Sequence, residues 1–211
     1  MYSRQIFAPR LAKNARFRLE ADLLHKTCQA NVKNMLIILD RDGVINEDSD
    51  EYIKTPDEWT PIPGSLEAIA RLNQAGHQVV VITNQSGIAR GLYDERALEE
   101  IHQKMTQMLA NIGGHLDGIF YCPHHPDDHC DCRKPKPGLM HQVAEALQTD
   151  FSHALMVGDA ERDIDCAHAV GCKAALVLTG KGCRLLQRSP NWNKAPVFED
   201  LSYVVDAILA Q

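Results

Sequence analysis

The sequence predicts an α/β protein built on a doubly wound, five-stranded parallel sheet. Three observations carry this. Five short apolar runs rich in Val, Ile and Leu lie at 35–40, 78–83, 118–121, 154–158 and 173–178. Near-continuous runs of this kind suit strands buried on both faces, whereas one-sided strands alternate apolar with polar residues. Helical stripes separate the runs, and β-α repetition implies a parallel sheet with helices on both faces. The first, second and fourth runs end in carboxylates, hydroxyls or amides, at the edge where open α/β sheets bind ligands.

Residues 1–34 stand apart from this pattern. Arg4, Arg10, Lys13, Arg16, Arg18, Lys26 and Lys33 face only Glu20 and Asp22, and no clean helical stripe runs through them. A basic targeting peptide, an anion-binding arm and a poorly ordered extension all fit that charge pattern. The third is favoured, because Met35 lies immediately before the first strand, MLIILD. One folded domain is therefore expected over 35–211.

The helices follow in order. Leu66, Ile69 and Leu72 recur at helical spacing, with Gly76 as a stop. Leu98, Ile101, Met105, Met108 and Ile112 form a second stripe, which starts after Asp94 as N-cap and ends at Gly113. Met140, Val143, Ala144 and Leu147 form a third. Ile164 and Ala167 begin a short fourth, closed by Gly171, and Leu201, Val204, Val205 and Ile208 form the last. The apolar residues of these stripes are core residues.

Bulk properties narrow the function. A net charge of -6 argues against nucleic acid or an anionic membrane as partner. No apolar run approaches the length of a bilayer span. Of seven cysteines, Cys122, Cys130 and Cys132 crowd into one stretch beside several histidines. That pattern reads as metal binding by reduced thiolates in a cytoplasmic protein, not as a disulfide framework.

The strand ends supply the chemistry. The first delivers Asp40-Arg41-Asp42-Gly43-Val44, the second Thr83-Asn84-Gln85-Ser86-Gly87, and the fourth Gly158-Asp159 with Asp163 shortly after. The third runs through the Cys/His loop into Arg133-Lys134-Pro135. This set fits phosphoryl transfer. A phosphate ester repels anionic nucleophiles until a divalent cation neutralises its oxygens, and Mg²⁺ takes hard oxygen ligands such as Asp40 and Asp159. The Asp40 carboxylate can then attack phosphorus. Asp42 can protonate the leaving oxygen and later activate water, while Thr83 and Lys134 hydrogen-bond the transferring group. A lone D-x-D would be an ordinary polar turn; four motifs in order at four strand ends form a site.

The loop Cys122-Pro-His124-His125-Pro-Asp-Asp-His129-Cys130-Asp-Cys132 has the pattern C-x-H-x5-C-x-C. Cys122, His124, Cys130 and Cys132 make a full tetrahedral set for structural Zn²⁺, with no open position for chemistry. His125 and His129 are alternatives for the imidazole.

D-R-D-G-V, T-N, R-K-P and V-G-D-x-x-x-D resemble the four motifs of the haloacid dehalogenase superfamily of phosphatases, from about Met35 to the end of the chain. That resemblance implies Asp40 as nucleophile, Asp42 as acid/base and Asp159 as magnesium ligand. It further implies that the Asp42 carbonyl reaches the metal, and that Asp163 lies behind it or serves as an alternative ligand. The gap between Asp42 and Thr83 holds mainly one helix and one strand, which leaves no room for a cap domain. The strings DRDGVIN, TNQSGIARG, CPHHP and CDCRKPKPG are similar to the small capless branch acting on heptose bisphosphate or histidinol phosphate; the Cys–Cys spacing is short for that branch. The resemblance implies substrate contacts at Asp48, Tyr52, Asn84, Gln85, Ser86 and Arg133, although 84–86 could equally be a capping turn. It favours a monomeric hydrolase of a sugar bisphosphate. Histidinol-phosphate hydrolysis is the same-fold alternative, and an inactive zinc-stabilised binding module is the alternative from another class.

Overall fold

The computed structural model describes residues 34–210. The expectation for 1–34 therefore lies, Asn34 apart, outside the described residues. Six parallel strands, one more than expected, form a single sheet: β1 (Leu36–Leu39), β2 (Gln78–Asn84), β3 (Gly118–Cys122), β4 (Ala154–Gly158), β5 (Lys173–Val177) and β6 (Val197–Phe198). Their order is β3-β2-β1-β4-β5-β6. The helices are α1 (Ser65–Gln74), α2 (Glu95–Ala110), α3 (Gly138–Leu147), α4 (Glu161–His168), α5 (Gly182–Arg188) and α6 (Leu201–Leu209). Among the described residues, no helix is long and apolar enough to cross a membrane.

Period-2 alternation splits each strand between two cores. Ile37, Leu39, Val79, Val81, Leu155 and Val157 pack with Ile69 and Leu72 of α1, Ile101 and Met105 of α2, and Val204 and Val205 of α6. Leu36, Ile38, Val80, Ile82 and Met156 pack on the other face with Met140 and Val143 of α3 and Ile164 of α4. Both faces are covered, so the strands read as unbroken apolar runs. The Asp94 side chain accepts from the Ala97 N–H at 2.8 Å and caps α2 as expected.

The sequence missed β6 and α5. A two-residue strand is too short to show a period. Helix α5 offers only Leu185 and Leu186 as sizeable apolar side chains.

The register positions the site. Leu39 pairs with Val81 on one side and Val157 on the other. The chain leaves β1 for β2 on one side and later places β4 on the opposite side. That reversal opens a crevice at the strands' carboxyl ends. Between Asp42 and Thr83 stand only a short flap, a 3-10 turn at Pro56–Glu58, α1 and β2. Lys104 of α2 steadies the flap by donating to the Pro56 and Trp59 carbonyls at 2.6 and 2.9 Å.

Candidate active site

Asp40 leaves β1 with its carboxylate buried. One oxygen accepts from the Arg41 N–H at 2.7 Å, and the other meets Lys134 Nζ at 2.8 Å. Lys134 Nζ also contacts Asp163 Oδ1 at 2.8 Å and donates to the Ile82 carbonyl at 2.9 Å. The ammonium is thus enclosed by two carboxylates and one carbonyl. Asn84 seats this lysine by bonding its backbone N–H and carbonyl, both at 3.1 Å.

Asp159 follows β4. One of its oxygens accepts from the Lys181 N–H at 2.7 Å, while Oδ1 is buried and accepts no hydrogen bond. Gly43 and Gly180 hold it between them. A Cβ at either position would meet Asp159 Oδ2 at 2.2 Å, and both glycines have positive φ. Only glycine lets the backbone come this close in that conformation. Asp163 accepts from the Ala160 N–H at 3.0 Å, so it caps α4 as well as pairing with Lys134.

Carboxylate oxygens of Asp40, Asp159 and Asp163 lie within 4.8 Å of one another. Burial pushes Asp159 up to about 7, helped by the charges of Asp163 and Asp40. Burial likewise raises Asp40 to about 6, against the opposing pull of Lys134. Asp163 behaves differently: burial would raise it, but Lys134 and Arg162 outweigh that and hold it below its ordinary value. The cluster holds more negative charge than its neighbours balance. Hard oxygen donors, one of them an orphaned buried atom, fit Mg²⁺.

Asp42 stands on the solvent side of Asp40. Its carboxylate accepts from Arg41, from Asn46 Nδ2 at 2.9 Å and from Gln85 Nε2 at 2.9 Å. Burial would raise its pKa, but the Arg41 charge and these hydrogen bonds prevail and lower it. Gln85 also donates to Thr83 Oγ1 at 2.8 Å, and Tyr93 fixes it by donating to Oε1 at 2.5 Å.

The third strand leads into the Cys/His loop. Cys122 Sγ lies 3.6 Å from Cys130 Sγ and 3.7 Å from His124 Nδ1. Cys132 Sγ lies 3.5 Å from Cys130 Sγ and 3.2 Å from His124 Nδ1. These spacings are far too long for a disulfide. A tetrahedron with Zn–S bonds of about 2.3 Å has S–S edges of about 3.8 Å, close to what is seen. His125 is used elsewhere, since its ring accepts from the Asp127 N–H at 3.3 Å. Burial and the two neighbouring thiols push Cys132 up to about 12, so a cation would be needed to draw its thiolate out.

Residues 37–108 match the family model described as haloacid dehalogenase-like hydrolase, and residues 131–204 match a second, HAD-hydrolase-like model. A Pseudomonas aeruginosa protein named D-glycero-beta-D-manno-heptose-1,7-bisphosphate 7-phosphatase is 55% identical over 174 residues, 82% of this chain and 97% of its own. The chain belongs to the haloacid dehalogenase-like hydrolases. Among solved structures, the Bordetella bronchiseptica D,D-heptose 1,7-bisphosphate phosphatase, complexed with magnesium and phosphate, is 50% identical with a TM-score of 0.80. That match covers 83% of this chain and 98% of the other. The Burkholderia thailandensis enzyme of the same name is 41% identical with a TM-score of 0.66, covering 84% and 99%.

In this haloacid dehalogenase-like hydrolase the expected site residues converge on one cavity of about 190 Å³. Asp40, Asp42, Asp48, Tyr52, Thr83, Asn84, Gln85, Ser86 and Arg133 all line it. Several also have partners within the protein. The Asn84 amide clamps Lys134, Gln85 braces Asp42 and Thr83, and Asp48 pairs with Lys181 Nζ at 2.5 Å. Asp50 pairs with Arg184 at 3.1 Å, so two ion pairs tie the flap to α5 and to the residue just before it. Tyr52 sits at φ 66, a left-handed conformation that costs a non-glycine residue ~1–2 kcal/mol. Strain of this kind at a cavity wall points to function. Lys134 and Asp159, both expected at the site, are buried beside Asp40 and are not among the residues lining the cavity.

Sequence reasoning missed four cationic or imidazole groups. Arg162 and Lys181 line the cavity, and Arg41 and His102 lie behind Asp42. Arg162 lies inside V-G-D-x-x-x-D, and Lys181 follows the fifth strand, where a ligand-edge residue could have been sought.

Proposed function

We propose that this chain removes the 7-phosphate of D-glycero-D-manno-heptose 1,7-bisphosphate through an aspartyl-phosphate on Asp40. The product, a heptose 1-phosphate, would be ready for nucleotide activation. The observation that carries the mechanism is the buried carboxylate cluster with its orphaned Asp159 oxygen beside Asp40. The substrate rests on relatives 50–55% identical over most of the chain.

Asp40, Asp159 and the Asp42 carbonyl would hold Mg²⁺. When bound, it neutralises phosphate oxygens that would otherwise repel the nucleophile. An Asp40 oxygen attacks phosphorus, and the bond from phosphorus to the sugar oxygen breaks. Asp42 gives its proton to that oxygen. The dianionic phosphate arriving beside Asp42 raises its proton affinity against the pull of Arg41. Water then attacks the aspartyl-phosphate, Asp42 takes its proton, and inorganic phosphate leaves with Asp40 restored. Lys134 holds Asp40 in line and offsets part of the buried negative charge. The Thr83 hydroxyl accepts from Gln85 and donates its own proton to a phosphate oxygen. Arg133 meets the second phosphate.

Cys122, His124, Cys130 and Cys132 would close a structural zinc site. Residues 133 and 134 follow directly from it, so the metal would set the position of both cations.

The test compares kcat/KM for the heptose bisphosphate and histidinol phosphate in wild type and Arg133→Ala. The bisphosphate should be preferred and should lose at least about tenfold in the variant, as for a charged hydrogen bond. A simple monophosphate should barely change. A wild-type preference for histidinol phosphate would overturn the substrate. Turnover by Asp40→Asn would overturn the nucleophile.

A further inference from the structure

We propose that Arg41 and His102 are positioning residues that hold the Asp42 carboxyl on the line of the leaving oxygen. This rests on the acid/base role given to Asp42 above. Arg41 immediately follows the nucleophile in the chain, and its side chain is fully buried. Its Nε donates to Asp42 Oδ1 at 3.1 Å, and Nη2 reaches Oδ1 at 2.9 Å and Oδ2 at 3.0 Å. The remaining end, Nη1, lies 3.3 Å from Nε2 of His102 on α2.

The imidazole stops the guanidinium from behind. Burial, with the Arg41 charge, lowers the His102 pKa to about 3, so the ring is neutral and Nε2 can accept the Arg41 N–H. The Tyr121 ring flanks it, with centroids 6.3 Å apart. The result is a rigid path from α2 through a planar fork to the carboxylate. A lysine could not replace the fork, because one ammonium cannot span both carboxylate oxygens and the imidazole in a plane.

Position matters for one event in the first half-reaction, the proton transfer to the leaving oxygen. That transfer is worth ~10²–10⁴-fold when the leaving group is a poor one. A sugar alkoxide needs it; a nitrophenolate scarcely does. A displaced Asp42 therefore penalises alkyl phosphates selectively, whereas general damage to the site penalises all substrates alike.

The experiment measures kcat/KM, which reports the first half-reaction, on a primary-alkyl sugar phosphate that the wild type turns over and on 4-nitrophenyl phosphate. The proteins are wild type, Asp42→Asn, Arg41→Lys, His102→Phe and His102→Gln. Arg41→Lys should lose about tenfold or more on the sugar phosphate, the scale of a charged hydrogen bond, and less than about threefold on the aryl ester. His102→Phe keeps the ring but not the acceptor, and should show a smaller loss with the same selectivity. His102→Gln, which restores an acceptor, should recover most of it. Equal losses on both substrates, or none, in His102→Phe would overturn the proposal, and that variant decides even if Arg41→Lys fails to fold. If Asp42→Asn itself shows no leaving-group selectivity, the acid/base assignment fails first. If it does and the Arg41 and His102 variants do not, only the positioning role is wrong.

Discussion

Replacing Lys134 by Met removes the one ammonium shared by two buried carboxylates. Lys134 is buried and sits 2.8 Å from both Asp40 and Asp163. Deleting one partner of a buried pair costs about 3–5 kcal/mol, because the other charge is left uncompensated. Arg162 Nε, 3.9 Å from Asp163, offsets part of this, which places the expected loss near the lower end. At ~2–4 °C per kcal/mol for a domain of this size, Tm in chelator should fall by about 6–12 °C. Asp40 is already raised to about 6 with Lys134 opposing the rise. Without Lys134 it climbs further and is protonated at neutral pH, so the nucleophile is lost as well. Added Mg²⁺ should restore part of the Tm and little of the activity. The assay is thermal unfolding with and without Mg²⁺, followed by single-turnover phosphate release. A Tm loss below about 2 °C in chelator would refute the charge-balance reasoning, since it would fall under even one kcal/mol by the same conversion.

Magnesium should stabilise the protein more at pH 8 than at pH 5.5. Asp40 and Asp159 are raised from 3.8 to about 6 and about 7, so the folded metal-free protein binds more protons than the unfolded chain in that window. The stability these groups contribute is full below pH 3.8 and is lost as pH rises through 6 and 7, while the ionised site binds metal better; a Tm gain independent of pH would contradict this. Purified protein should carry about one zinc per chain, and Cys130→Ser should lose it, with activity falling as the Lys134 loop loosens. Metal analysis finding no zinc would reject the ligand set. A chain beginning at Met35 should fold and turn over as well as the full-length protein, and a large loss of either would mean that residues 1–34 pack on the domain.

The sequence alone determined the parallel sheet and which polar residues stand together at the strand ends. Each of these is a local pattern: an unbroken apolar run, a D-x-D at a strand's end, three cysteines and a histidine within eleven residues. What it could not determine was which neighbour each polar side chain chooses. Asn84, expected as a substrate contact or part of a capping turn, lines the cavity and also clamps the Lys134 backbone, fifty residues away in the chain, with its amide. Gln85 is held between Asp42 and Tyr93, and Asp48 belongs to Lys181. Arg41 was given no role by the sequence, and only α2 brings His102 up behind it. The strand β6 escaped notice because two residues carry no period, and pairing with β5 is what makes it a strand. Apolar burial repeats along the chain at the period of each element, so it can be read from spacing. Hydrogen bonds and ion pairs between distant segments depend on angles and distances that exist only after the sheet has set its register and the helices have docked on its two faces.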